Sequence, residues 1–300
     1  NTEPPVHNIM GSENLRTYLL ENTTTTIKLE NDIYVSPNSK INAAPFEVKG
    51  NHTLDLNGHF IYMNTSDFTP SELFHIQSNY SLTLVNTSVT DSTIDVKNMN
   101  GAEYAIIRVD ADATLNVNDT NNNIGIIPHY AVTENDDYSK VTPIYAKTGS
   151  KVNLNGGVYG SYSLQKSLAL YSEVDAEISI NGCSFYGRVE LLTTKYTCTN
   201  AELFFINATY GGFHTPGSTN SLQNHFARTE YTFIVDGHEP DYSYLSHDLT
   251  GKHVEIRKMG NYTHYNSILS SNLQTDPTGL SSYLVFTDDE EGPVVYGAKD

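Results

Sequence analysis

A phrase of two apolar residues flanking one variable position, followed by Asn, recurs along this chain and constrains its fold more than any other feature. It reads Leu54-Asp55-Leu56-Asn57, Leu115-Asn116-Val117-Asn118, Val152-Asn153-Leu154-Asn155, Ile178-Ser179-Ile180-Asn181 and Phe204-Phe205-Ile206-Asn207, with a looser copy at Leu82-Thr83-Leu84-Val85-Asn86. Alternating apolar residues bury every second side chain of a strand, and Asn suits a corner because it tolerates left-handed backbone. The Asn residues fall at 57, 86, 118, 155, 181 and 207, a spacing that suits stacked coils of a β-solenoid. The phrase predicts a ladder of corner Asn residues, each bonded to the neighbouring coil.

A second strand precedes each phrase at constant offset. Eight and six residues before the first apolar position stand Phe46 and Val48, Phe74 and Ile76, Ile107 and Val109, Ile144 and Ala146, and Leu170 and Ser172. All but Ser172 are apolar, so two inward columns are expected. Aligning Phe204 in the same way places Cys198 in the second column. Cys183 then lies on a different strand, and both cysteines are expected as free thiols, because a bridge needs Cα atoms within about 7 Å.

The full reading is an all-β, single-stranded right-handed parallel β-helix with an N-terminal capping helix. Residues 1–11 are read as an extension and 12–213 as the β-helix, opened by an amphipathic helix behind a Ser12 N-cap. Such a helix covers the open end of a solenoid core. Residues 214–300 are read as further irregular coils and a C-terminal cap, or as a small β domain. Strands are expected there around Tyr231–Val235, His253–Ile256, Tyr283–Phe286 and Val294–Tyr296.

Composition narrows the partners. Seventeen basic against 35 acidic residues give a net charge of −18, which disfavours nucleic acid and anionic lipid surfaces. No apolar run reaches the roughly 18 residues of a membrane helix. Abundant Asn, Ser and Thr with little Lys suit a secreted or cell-surface protein. Nothing in the pattern sets an oligomeric state.

The stretch Asn51-His52-Thr53-Leu54-Asp55-Leu56-Asn57-Gly58-His59-Phe60-Ile61 resembles a phrase common in bacterial surface proteins of the pectate-lyase-like β-helix superfamily. The resemblance covers about residues 12–213 and implies the fold. It spans lyases, hydrolases, tailspikes and proteins without catalysis, so function must come from a site. For lyases it implies an acidic calcium cluster with an Arg or Lys base. For hydrolases it implies Gly-His-Gly and Arg-Ile-Lys motifs, of which Gly58-His59-Phe60, Gly237-His238-Glu239 and Ile256-Arg257-Lys258 are only fragments.

Residues seven and five before each phrase must face outward. They form one ladder of Glu47, His75, Arg108, Tyr145 and Tyr171 and another of Lys49, Gln77, Asp110, Lys147 and Glu173. His75, Arg108, Asp110, Tyr145, Lys147, Tyr171 and Glu173 are the candidate ligand-facing residues. The tyrosines offer flat faces to pyranose rings. Arg108 and Lys147 could hold carboxylates or, in a lyase, abstract a proton. The competing expectation is that these charges satisfy one another across strands. Oxygen-rich runs such as Asp110-Ala111-Asp112 and Asp288 to Glu291 leave calcium open as a cofactor, although none forms an EF-hand. No His or Cys spacing indicates a transition metal. The leading expectation is a non-catalytic module that binds poly- or oligosaccharide or mediates adhesion. The alternatives are a lyase-like carbohydrate-active enzyme, with catalytic residues unassigned, and a structural spacer.

Overall fold

The computed structural model describes residues 3–36, 44–64, 71–99, 104–130, 141–160, 168–186, 188–199, 202–204, 212–214, 231–235, 254–258 and 294–296. Three sheets carry nearly all of the regular structure, and the chain visits them in turn. The first sheet holds the recurring phrase, in strands Val6–Ile9, Thr24–Leu29, Asn51–Asp55, Ser81–Val85, Thr114–Asp119, Lys151–Gly156, Glu177–Asn181 and Tyr196–Thr199. The second holds the preceding strands, Phe46–Val48, Glu72–Ile76, Tyr104–Val109, Val141–Ala146, Leu168–Ser172, Arg188–Leu191 and Gly212–His214. The third begins with Ile33–Tyr34, Ile61–Asn64, Ser92–Met99, Ile124–Tyr130, Val158–Gly160, Ser184–Tyr186 and Glu202–Phe204. Neighbours in all of these are parallel, which makes the described chain a parallel β-solenoid. Tyr231–Val235, Val254–Lys258 and Val294–Tyr296 extend the third sheet but pair antiparallel, unlike the coils. The expected strand at Tyr283–Phe286 lies outside the described residues.

The two inward columns form as the spacing requires. Phe46 pairs with Phe74, Phe74 with Ile107 and Ile107 with Ile144, and these residues and Leu170 are fully buried. Val48, Ile76, Val109 and Ala146 form the adjoining column, also buried. The Phe46 and Phe74 rings lie 5.0 Å apart. Each such side chain contributes about 1.5 to 3 kcal/mol by leaving water. A single core therefore runs the length of the stack.

The corner between the second and first sheets explains the constant offset. Tyr80 N–H bonds to the Gln77 carbonyl, Ala113 to Asp110 and Ser150 to Lys147, at 3.1, 3.0 and 2.9 Å. The third residue of each turn is left-handed, with φ of 73° at Asn79, 60° at Asp112, 78° at Gly149 and 60° at Asp175. Asn, Asp and Gly are the residues that bear this conformation at least cost.

Four expectations need correction. Asn118, Asn155 and Asn181 do form a register ladder, but they sit within strands at exposed positions rather than in left-handed corners. The corners that follow are turned by Asn122, Gly156 and Gly157, and Gly182. Asn57 is left-handed at φ 47° but is not their equivalent, since Leu54 pairs with Leu84 and not with Leu82. The first coil's corner, Lys49-Gly50, is two residues shorter. Gly50 permits it: a Cβ there would lie 2.3 Å from the Glu21 carbonyl oxygen. His52 therefore takes the first apolar position. It is buried, with Nδ1 2.7 Å from Thr25 Oγ1 and Nε2 3.0 Å from the Glu21 carbonyl.

The last coil also departs from its expected threading. Tyr196–Thr199 occupies the first sheet, with Cys198 opposite Ile180, and Glu202–Phe204 lies in the third sheet opposite Ser184–Tyr186. Cys198 thus stands at the phrase's second apolar position, not in the column of Ala146 and Ser172. Its side chain lies outside the described residues, whereas Cys183 is a free, buried thiol. Finally, the helix α1 (Ser12–Leu19) has Gly11, not Ser12, at its N-cap. Leu15 and Leu19 enter the core, and Arg16 anchors the helix through the carbonyls of Pro45 (2.8 Å) and Ser36 (2.7 Å). The segment before α1 adds Val6–Ile9 to the edge of the first sheet.

Candidate functional site

The outward residues of the second sheet fall in strict register. Glu47 lies opposite His75, His75 opposite Arg108, Arg108 opposite Tyr145 and Tyr145 opposite Tyr171. Gln77, Asp110, Lys147 and Glu173 follow one another where the strands end, each backbone N–H bonding to the preceding coil. Alternation on parallel strands about 4.8 Å apart suffices to bring them together. All seven candidate residues lie on one face, which is half-buried rather than open. Next to the ladder, Leu73 and Ile106 are fully buried although they have the outward parity, so an apolar strip flanks the charged one.

Two linked chains of contacts run across the coils. In the first, Gln77 Nε2 donates to Glu47 Oε2 (2.8 Å), and His75 Nδ1 lies 2.9 Å from the same oxygen. His75 Nε2 meets Asp110 Oδ2 at 2.7 Å, and Lys147 Nζ meets Asp110 Oδ1 at 3.2 Å. In the second, Arg108 Nε lies 3.3 Å from Glu72 Oε2, and its guanidinium carbon lies 4.8 Å from the Tyr145 ring centroid. Tyr145 Oη donates to Glu173 Oε1 at 2.6 Å, and the Thr148 N–H donates to Glu173 Oε2 at 2.9 Å. The Tyr145 and Tyr171 rings stand 4.8 Å apart, tilted by 39°. Glu72 was not among the residues singled out from the sequence. Only the strand register shows it beside Arg108.

Protonation states follow from these contacts. Burial disfavours a charged His75, but Glu47 and Asp110 outweigh it and raise the imidazole to about 9. Burial likewise opposes ionisation of Glu47 and Asp110, yet His75 and their other donors hold both carboxyls below their ordinary range. Burial and the neighbouring Glu173 carboxylate push the Tyr145 phenol up. At neutral pH a protonated His75 therefore stands between the ionised carboxylates of Glu47 and Asp110, and its neighbours hold Glu173 ionised as well. With Lys49 at one end of the ladder and Glu190 opposite Tyr171 at the other, five acidic side chains face four basic ones.

This arrangement sets the Tyr145 ring between Arg108 and the Tyr171 ring, inside a nearly balanced polar rim. Its imidazole is already protonated, so it is not poised to accept a proton. Among the described residues no cluster of three or more His, Cys, Asp or Glu side chains could hold a metal ion. Among the described residues no helix is long and apolar enough to cross a membrane. No protein-family model, curated protein or solved structure matches this chain.

Proposed function

We propose that this protein is a secreted or cell-surface module of the pectate-lyase-like, right-handed β-helix kind, its N-terminal end covered by α1, and that it binds glycans without catalysis. The observation that carries the reading is the Tyr145 and Tyr171 pair, held between Arg108 and Glu173 on the outward face of the second sheet. Paired aromatic rings with a hydrogen-bonding rim suit a pyranose, whose faces are apolar and whose edges carry hydroxyls. Ion pairs already engage Arg108 and Lys147. With a local excess of one negative charge, the face favours ring stacking over capture of a carboxylate. The same pairing leaves neither cation free as the base a lyase needs.

The test is a screen of soluble polysaccharides by affinity electrophoresis, with ultraviolet detection of unsaturated uronates in parallel. Retardation by one or more polysaccharides without product supports a binding module. Steady accumulation of unsaturated product would replace it with a lyase. Absence of both would leave the spacer.

A further inference from the structure

A second surface, on the first sheet, is built differently. The central outward column runs Thr26, Thr53, Thr83, Asn116, Asn153, Ser179 and Thr197, each paired with the next, and it contains no charge. Hydrogen bonds link its later members. Asn116 Nδ2 donates to Thr83 Oγ1 (3.2 Å), Asn153 Nδ2 to Asn116 Oδ1 (2.8 Å) and Thr197 Oγ1 to Ser179 Oγ (3.4 Å). The chain of bonds breaks between Asn153 and Ser179. There the Asn153 carbonyl receives no donor from Ser179, whose hydroxyl keeps its own proton to give. An acceptor and a donor thus stand on adjacent strands, about 4.8 Å apart.

A shallow groove of about 570 Å³ opens over that break, lined by Asn153, Ser179 and Thr197 of the central column together with Lys151, Glu177 and Lys195, and by Ile178 and Tyr196. Its volume is within the range of small-ligand sites. Its charges cancel locally. Lys151 pairs with Glu177 at 3.0 Å and Lys195 with Asp175 at 3.3 Å. In a chain of net charge −18 this is a neutral site in which hydroxyl and amide groups stand beside apolar surface. The ligand that complements it is uncharged and carries many groups that both donate and accept.

We propose that this groove binds a short neutral oligosaccharide, as a second glycan site on a face separate from the tyrosine ladder. The proposal shares with the functional reading only the class of ligand. Asn153 and Ser179 would bond the sugar hydroxyls, and the Lys151–Glu177 pair would border the ring edges.

The test uses the full chain and calorimetric titration with cellotetraose, xylotetraose, mannotetraose and maltotetraose, and with tetragalacturonate as the acidic comparison. Asn153→Asp places a charge in the lining with almost no change of shape, and Ser179→Tyr fills the groove. Tyr171→Ala removes a ring from the other face. The expected result, read in the Tyr171→Ala background so that the ladder does not contribute, is binding of at least one neutral tetrasaccharide, weakened at least about tenfold by both groove variants. Should Ser179→Tyr fail to fold, the near-isosteric Asn153→Asp still decides. No binding of any neutral tetrasaccharide overturns the proposal, as does binding that neither groove variant weakens. Loss in Tyr171→Ala alone would assign the sugar to the ladder, upholding the functional reading while removing the groove. A preference for tetragalacturonate that Asn153→Asp abolishes would overturn the neutral ligand class.

Discussion

At neutral pH His75 is the positive centre of the ladder, and replacing it with Gln tests that assignment quantitatively. The substitution keeps a polar side chain between Glu47 and Asp110 but removes the charge. A group whose pKa rises on folding contributes stability in full below its unfolded value, and loses it as pH climbs through the folded value. For His75 that window runs from 6.5 to about 9. At about 1.4 kcal/mol for each pH unit, the window sets a ceiling of about 3 kcal/mol. The side chains of His75, Glu47 and Asp110 are 20%, 16% and 21% exposed, so solvent screening lowers the expected contribution. About 1 to 2 kcal/mol is the working figure. Urea denaturation of wild type and His75→Gln should show a gap of that size near pH ~6 that closes by about pH 10. An equal gap at both pH values would assign the loss to packing and refute a charged His75. On the acid side, Glu47 and Asp110 act in the opposite sense. Their stabilisation is present above 4.5 and 3.8 and is lost as pH falls through their lower folded values.

Gly156 has φ +80°, and a Cβ there would stand 1.6 Å from the Asp119 carbonyl oxygen, so Gly156→Ala should cost more than about 2 kcal/mol in chemical denaturation. Gly149→Asn should stay within about 0.5 kcal/mol of wild type, because its surroundings are open and Asn79, Asp112 and Asp175 occupy the same turn in other coils. Phe74→Ala, between Phe46 and Ile107 in the buried column, should cost about 3 to 5 kcal/mol by the same measurement. Burial pushes the Cys183 thiol up to about 12, so a thiol reagent should leave it unmodified in the native protein and modify it after unfolding.

The core columns were legible because Phe46, Phe74, Ile107, Ile144 and Leu170 recur at one distance from a visible phrase. For the last four of these, that distance is set by a turn whose Asn79, Asp112, Gly149 and Asp175 share one left-handed conformation. Where the corner changes length, hydropathy misleads. Lys49-Gly50 is short, so His52 and not Leu54 matches Leu82, and a His satisfied by Thr25 and Glu21 carries no apolar signal. In the last coil Tyr196-Thr197-Cys198 is a weaker copy of the phrase than Phe204-Phe205-Ile206, yet it is the one in the first sheet. The outward ladder inherited its legibility from the inward columns. Its closure into ion pairs, with Glu72 against Arg108 and His75 between two carboxylates, depends on side-chain reach across neighbouring coils. The groove over Asn153 and Ser179 needed the structure outright, because one of its walls comes from the altered last corner around Lys195.

The central claim, that the paired tyrosines of the second sheet are a sugar-stacking surface, is tested most directly by titrating wild type, Tyr145→Ala and Tyr171→Ala with a polysaccharide retained in the screen. Both variants should bind at least about tenfold more weakly while circular dichroism stays unchanged, as expected from loss of a stacking face. Wild-type affinity in both folded variants would contradict the claim.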